Sequence, residues 1–291
     1  MQTISRNVPQ SHAVGIALMC AGVACLSIND ALAKLLTERY SPLQILFLRN
    51  VVALPFAFLI AWRMGGTAAL RSHRPLAHLL RGILWIGATV LFFTSIMHLG
   101  LAEATALIFV APLFITAISA VFLRETVGRY RWLAVLAGFS GVLIVVRPGT
   151  SAFQLVSLLP VATAFVYALL MLGARWVDPR ESVWTLLLYL TGMGTLLSAL
   201  IVPFAWRPVE AGDVWAFVAI ALFGTAGMTM MTQAFRLAPA VVVAPLDYTA
   251  LLWATALGWL VWHERPDTAT LFGAAIIIAS GVVTIWREHK A

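Results

Sequence analysis

Apolar residues run through this 291-residue chain in ten long stretches, and polar residues are confined to the short joints between them. The runs cover about 13–36, 43–62, 77–98, 101–123, 130–146, 152–173, 182–205, 213–235, 239–262 and 269–286. Each approaches the roughly 20 residues that an α-helix needs to cross the hydrocarbon core of a bilayer. The pattern therefore predicts an all-α integral membrane protein of ten transmembrane helices. Turn formers mark the joints, among them Ser41-Pro42, Gly65-Gly66, Arg147-Pro148-Gly149, Asp178-Pro179 and Arg207-Pro208. No joint is long enough to hold a domain outside the membrane.

One stretch occurs twice. Ala111, Thr116, Ala117 and Glu125 recur 139 positions later as Ala250, Thr255, Ala256 and Glu264. Ser140-Gly141-Val142 and Arg147 recur 140 positions later as Ser280-Gly281-Val282 and Arg287. A period near half the chain length points to a duplicated half. The expected organisation is a tail at 1–12, a first five-helix repeat at 13–147, a second at 152–286 and a tail at 287–291.

Composition sharpens this picture. With 62% apolar and 11% charged residues and a mean hydropathy of +0.94, the chain lies far from soluble domains, whose charged fraction is about 25%. The net charge of +7 reads as basic membrane loops, so no nucleic-acid partner is expected. If the N-terminus is cytoplasmic, thirteen Lys and Arg fall on that side and four on the other. The positive-inside rule then puts both termini in the cytoplasm. Five spans, an odd number, separate the two copies, so they cross in opposite directions, with Glu125 inside and Glu264 outside. Inverted repeats of this kind build many secondary transporters, with the substrate site near mid-membrane between the halves.

Several function classes drop out. No phosphate loop, His-Glu-x-x-His or Gly-x-Ser-x-Gly motif is present, which argues against ATP drive and against an intramembrane hydrolase; the chain is not expected to be an enzyme. Cys20 and Cys25 stand five apart on one predicted helix, read as small core residues, and leave neither a metal site nor a cofactor to expect.

Ionisable groups inside a bilayer are costly and mark function by default. Asp30 and Lys34, four apart in the first span, are placed to pair with each other. Either that pair with Arg49 ties the first two helices, or Asp30 or Arg49 binds a charged substrate group or relays a proton. Asp247 stands about 12 Å into its span, beside Pro245 and Tyr248, where a helix break frees carbonyl groups. It is the favoured substrate or proton site, with a buried packing carboxyl as the alternative. Trp85, Trp253, Tyr167 and Tyr248 are candidates for a cavity wall that stacks planar ligands; each would serve equally as packing. Gln233, with Met228, Met230 and Met231, gives a soft polarizable surface. Glu125, Glu264, Pro112, Pro245 and Lys34 read as structural, the two glutamates closing helices against nearby backbone N–H groups.

Ten short-looped spans in two halves, each with a Pro-containing apolar helix ending in Glu and a helix bearing Ser-Gly-Val, resemble the drug/metabolite transporter superfamily in its EamA branch. Ala244-Pro245-Leu246-Asp247-Tyr248 through Gly258 to Glu264 is similar to that group's second-half signature, and Asn29-Asp30 to Lys34 with Arg49 to its opening. The resemblance implies a central cavity and alternating access. Among members it looks most like the bacterial aromatic amino-acid exporters. The expectation is thus an inner-membrane exporter of amino acids including aromatic ones, or else an importer of a planar metabolite such as riboflavin or S-adenosylmethionine. A receptor or lipid-handling protein is the rival outside transport. The expected partners are a small-molecule substrate and the bilayer, in a monomer or homodimer.

Overall fold

The computed structural model describes residues 8–121, 128–150, 153–177 and 180–288. Helices α1 (Val8–Thr37), α2 (Pro42–Gly65) and α3 (Pro75–His98) cross in turn. The next span is divided into α4 (Leu101–Ile108) and α5 (Ala111–Val121), and α6 (Arg129–Val146) completes the first half. The second half consists of α7 (Leu158–Leu172), α8 (Val183–Ile201), α9 (Val214–Leu237), α10 (Ala240–Val243), α11 (Ala250–Trp262) and α12 (Thr268–Glu288). No strand occurs among the described residues. Among the described residues seven helical segments are long and apolar enough to cross a membrane, and α6 and α12 contain shorter apolar stretches.

Local chemistry sets the helix starts. Pro42 and Pro75 occupy first-turn positions, where a missing N–H costs nothing. The hydroxyls of Ser41 and Ser182 cap α2 and α8 by accepting from the N–H groups of Gln44 and Thr185, both at 3.2 Å.

The fourth and ninth spans, predicted as continuous helices, are both broken. Pro112 crowds the carbonyl four residues back, and α4 ends there, at Ile108. In the ninth span a 3-10 segment, Ala244–Thr249, separates α10 from α11 and carries Pro245, Asp247 and Tyr248. The prolines are out of step in the repeat, yet the helices restart at Ala111 and Ala250, positions the repeat aligns. By the same offset Phe109 corresponds to Tyr248, and their rings meet edge to face at 4.9 Å. Asp247 corresponds to Ile108.

The halves interlock. α1 packs on α9 and α3 on α7, while α2 packs on α8 and α6 on α12. Exchanging the halves turns the α1–α9 pair into α3–α7 and returns α2–α8 and α6–α12 to themselves. Glycines permit the closest crossings: a Cβ on Gly141 would lie 2.8 Å from the Gly273 carbonyl, and one on Gly273 would lie 2.7 Å from the Gly141 carbonyl.

The bundle has two ends. On the Lys34 face the α1–α2 joint holds the approach to α9, with Tyr40 donating to Asp213 at 2.7 Å and the Gln44 side chain donating to the Arg207 carbonyl at 2.6 Å. On the His78 face the start of α3 meets the segment before α8 through Glu181. α1 ends on the Lys34 face, and Gln154, just before α7, lies in the same vestibule as Arg147 and Lys34. α7 therefore starts where α1 ends.

Candidate functional site

Between the halves lies a cavity of about 560 Å³, within the range of about 300–1,000 Å³ common for metabolite-sized sites. Its wall is largely apolar and aromatic, and three charged residues reach it: Asp30 from α1, Arg49 from α2 and Asp247 from the 3-10 break. Asp30 accepts from the Asn29 side-chain amide at 3.0 Å. Arg49 is only 8% exposed, and its guanidinium lies 5.4 Å from the Trp85 ring centroid and 5.6 Å from that of Phe93. These faces hold a cation where no ion pair within 4 Å does. Asp247 keeps its side chain open to the cavity. Tyr167 and Tyr248 contribute aromatic surface, and the buried Tyr248 hydroxyl has no hydrogen-bond partner.

Two glycines make room for the amides beside these charges. A Cβ on Gly224 would come within 2.8 Å of Asn29 Oδ1, and one on Gly194 within 2.6 Å of Asn50 Nδ2. Among the described residues no three His, Cys, Asp or Glu side chains converge where a metal could sit.

Six of the sequence candidates thus line one cavity: Asp30, Arg49, Trp85, Tyr167, Asp247 and Tyr248. Trp253 does not. It is 43% exposed, because α11 turns Ala250, Ala254 and Gly258 inward and leaves Trp253 on the outer side. Gln233 likewise takes no part in the wall, although Met228 and Met231 do.

The expected Asp30–Lys34 pair does not form. Lys34 Nζ instead pairs with Glu264, 230 residues away, and donates to the Leu99 carbonyl at 2.8 Å. The other Glu264 oxygen accepts from the Leu101 N–H at 2.9 Å, at the start of α4. Glu264 therefore does bind a helix start, and the pairing it offers Lys34 is pre-positioned. Glu125 lies outside the described residues.

This cluster borders a second, more polar vestibule of about 760 Å³ on the Lys34 face, lined also by Glu38, Glu103, Arg147 and Asp267. Ala254 belongs to the vestibule wall and Ala250, one turn away, to the central cavity. The Lys34 cluster is thus part of the layer between them. At the opposite face, Glu181 accepts from Ser72 Oγ at 3.1 Å and from the His73 N–H at 2.6 Å, and meets His78 Nε2 at 2.7 Å. Burial pushes the Glu181 carboxyl up, but these hydrogen bonds outweigh it and hold the group below the usual carboxylate range.

Sequence reasoning missed Phe93 and Phe109 as wall residues, because nothing separates them in pattern from other core aromatics. It also left Arg81 out of the candidates, although the predicted span 77–98 contains it, because it was counted with the cytoplasmic cations.

A helical bundle with a polar-spotted cavity between two interlocked halves, built from spans long and apolar enough to cross a bilayer, is the architecture of a multi-pass membrane carrier. The chain belongs to the EamA-like transporter family, which matches residues 13–147 and again 154–286. It is 32% identical over 248 residues to a riboflavin transporter of Vibrio cholerae, covering 83% of this chain and 80% of that one. It is 26% identical to an S-adenosylmethionine uptake transporter of Rickettsia felis, over 97% of this chain and 96% of that one. The pseudopaline exporter CntI of Pseudomonas aeruginosa is also 26% identical, with 95% and 97% covered. A solved crystal structure shares the fold at a TM-score of 0.64 and 18% identity, spanning 98% of this chain and all of that one.

Proposed function

We propose that the chain is an inner-membrane secondary transporter for metabolites with an α-amino-acid head and a planar or apolar body, the aromatic amino acids among them. The observation that carries this reading is a cation and two carboxylates, Arg49, Asp30 and Asp247, set in one aromatic cavity. A zwitterionic head matches that set: its carboxylate goes to the Arg49 fork and its ammonium to Asp247 or Asp30. Trp85, Tyr167 and Tyr248 stack the body. S-adenosylmethionine, named for one relative, combines such a head with a planar adenine. The two halves run in opposite senses, and rocking one against the other exposes the cavity to each side in turn. With both termini cytoplasmic, the Lys34 face is outward and the Lys34–Glu264 link closes the outer end.

A planar solute without that head, such as riboflavin, is the second reading; the 32% identity to a riboflavin transporter favours it. It leaves Arg49 and the carboxylates without a partner on the solute. Counterflow in proteoliposomes separates the two. Loaded tryptophan or S-adenosylmethionine should drive uptake of its labelled form, and Asp247→Asn should cut the rate at least tenfold. Exchange of riboflavin alone, unaffected by Asp247→Asn, would replace the first reading with the second.

A further inference from the structure

Arg81 lies two turns into α3 and is 4% exposed, yet its Nε and Nη1 are buried without a hydrogen-bond partner. The ion pairs among the described residues leave it out. Glu181, at the same face, is already held by His78, Ser72 and the His73 backbone. An unpaired guanidinium in a low-dielectric setting is strongly destabilising, and an intramembrane cation marks a function by default.

Its place says which function. Arg81 stands four residues before Trp85, about 6 Å along the helix axis and on the same face. Its stem passes close to Gly173, where a Cβ would lie 3.5 Å from Arg81 Cγ. Trp85 and Tyr167 line the cavity, and Arg49 lies over the other side of this wall, against the Trp85 ring. Arg81 is thus one layer beyond the cavity toward the His78 face. Its planar fork of N–H groups suits a carboxylate taken in bidentate fashion.

We propose that Arg81 is a second carboxylate station on the transport path. It takes the substrate's carboxylate at the His78 end of the cavity, and Arg49 takes it deeper in. This rests on the reading above, in which the substrate carries a carboxylate. Anionic lipid headgroups offer the same fork a phosphate, and the experiment separates the two sources.

The test uses purified full-length protein with Arg81→Gln and Arg81→Lys. A charge awaiting a ligand weakens the empty protein, so Arg81→Gln should raise the apparent Tm, without ligand and in phosphatidylcholine alone, by about 2–4 °C. Acetate, against chloride at equal ionic strength, should raise the Tm of the original protein and not of Arg81→Gln. In oriented proteoliposomes, the half-saturating tryptophan concentration at the His78 face should rise about tenfold to hundredfold in Arg81→Gln, less in Arg81→Lys. Tryptamine, which lacks the carboxylate, should be unaffected. A lower Tm of the empty variant, or equal effects on tryptophan and tryptamine, would overturn the station in favour of a structural arginine. An Arg81-dependent Tm rise seen only with phosphatidylglycerol, and never with acetate, would assign the site to lipid instead. If the original protein exchanges neither tryptophan nor S-adenosylmethionine, the substrate reading fails, while the acetate comparison still decides whether Arg81 binds carboxylates.

Discussion

Tyr248 carries a hydroxyl that is buried and unpaired, pressed against the bare Cα of Gly281 on α12. A methyl group at Gly281 would overlap that oxygen and crowd the ring carbon behind it. Gly281→Ala should therefore destabilise the fold by about 1–3 kcal/mol, and adding Tyr248→Phe should recover part of the loss. Tyr248→Phe alone removes a group that gains nothing from burial and should leave thermal stability unchanged or slightly higher. Fluorescence-detected size exclusion after heating reads all three. Glu181 gives a pH signature at the same scale. Its folded carboxyl titrates below the unfolded value of about 4.3. The unfolded chain therefore binds the proton first as pH falls, and the stabilisation is complete above about pH 4.3 and fades through the lower folded value. Glu181→Gln should lower the Tm at pH 7, and the gap to the original protein should narrow as the pH falls below about 4.3.

At the scale of helices, long apolar runs were enough to place every span, because a bilayer demands length and hydrophobicity rather than a particular periodicity. The breaks were less legible. Pro112 and Pro245 announced them, but a proline disturbs the turn before it, and only the fold shows that α5 and α11 restart in register at Ala111 and Ala250. The inward face of α11 was written as the small stripe Ala250, Ala254 and Gly258; the bulk of Trp253 drew attention to the wrong side. Lys34 illustrates a different limit. A local partner at i−4 is always visible in a sequence, whereas Glu264 competes from 230 residues away and wins because its second oxygen is anchored on the Leu101 amide. The α6–α12 crossing carries its own test. Gly141 and Gly273 each leave no space for a side chain against the other's carbonyl. Gly141→Leu should force these helices apart and cost more than about 3 kcal/mol, since backbone cannot yield as a side chain does. The loss of monodisperse protein on extraction would register it; a variant as stable as the original would show that the crossing is looser than the geometry requires.

Across the whole molecule, the closure at the Lys34 face draws on both halves at once. Lys34 from α1 pairs with Glu264 after α11, donates to Leu99 at the end of α3, and lies 5.1 Å from the Trp262 ring centroid. Trp262 in turn donates to Glu38 at 3.3 Å. Arg147, past the end of α6, pairs with Asp267, whose carboxylate also accepts from the Thr270 N–H at 2.8 Å in the first turn of α12. If the halves rock, these contacts must break together, so they bias the equilibrium toward the state closed at this face. Removing one should shift the population rather than the chemistry of the cavity. Thr105, which lines the cavity one turn below Leu101, makes a reporter as Thr105→Cys in a background with Cys20 and Cys25 replaced by alanine. A membrane-impermeant thiol reagent supplied at the Lys34 face should label it about tenfold faster after Lys34→Gln, which corresponds to a shift of about 1.4 kcal/mol between the two states. Lys34→Arg should keep the slow rate. From the His78 face the same change should slow labelling, because a population gained by one state is lost by the other. Lower thermal stability with unchanged labelling from both faces would make the cluster a brace instead of a gate.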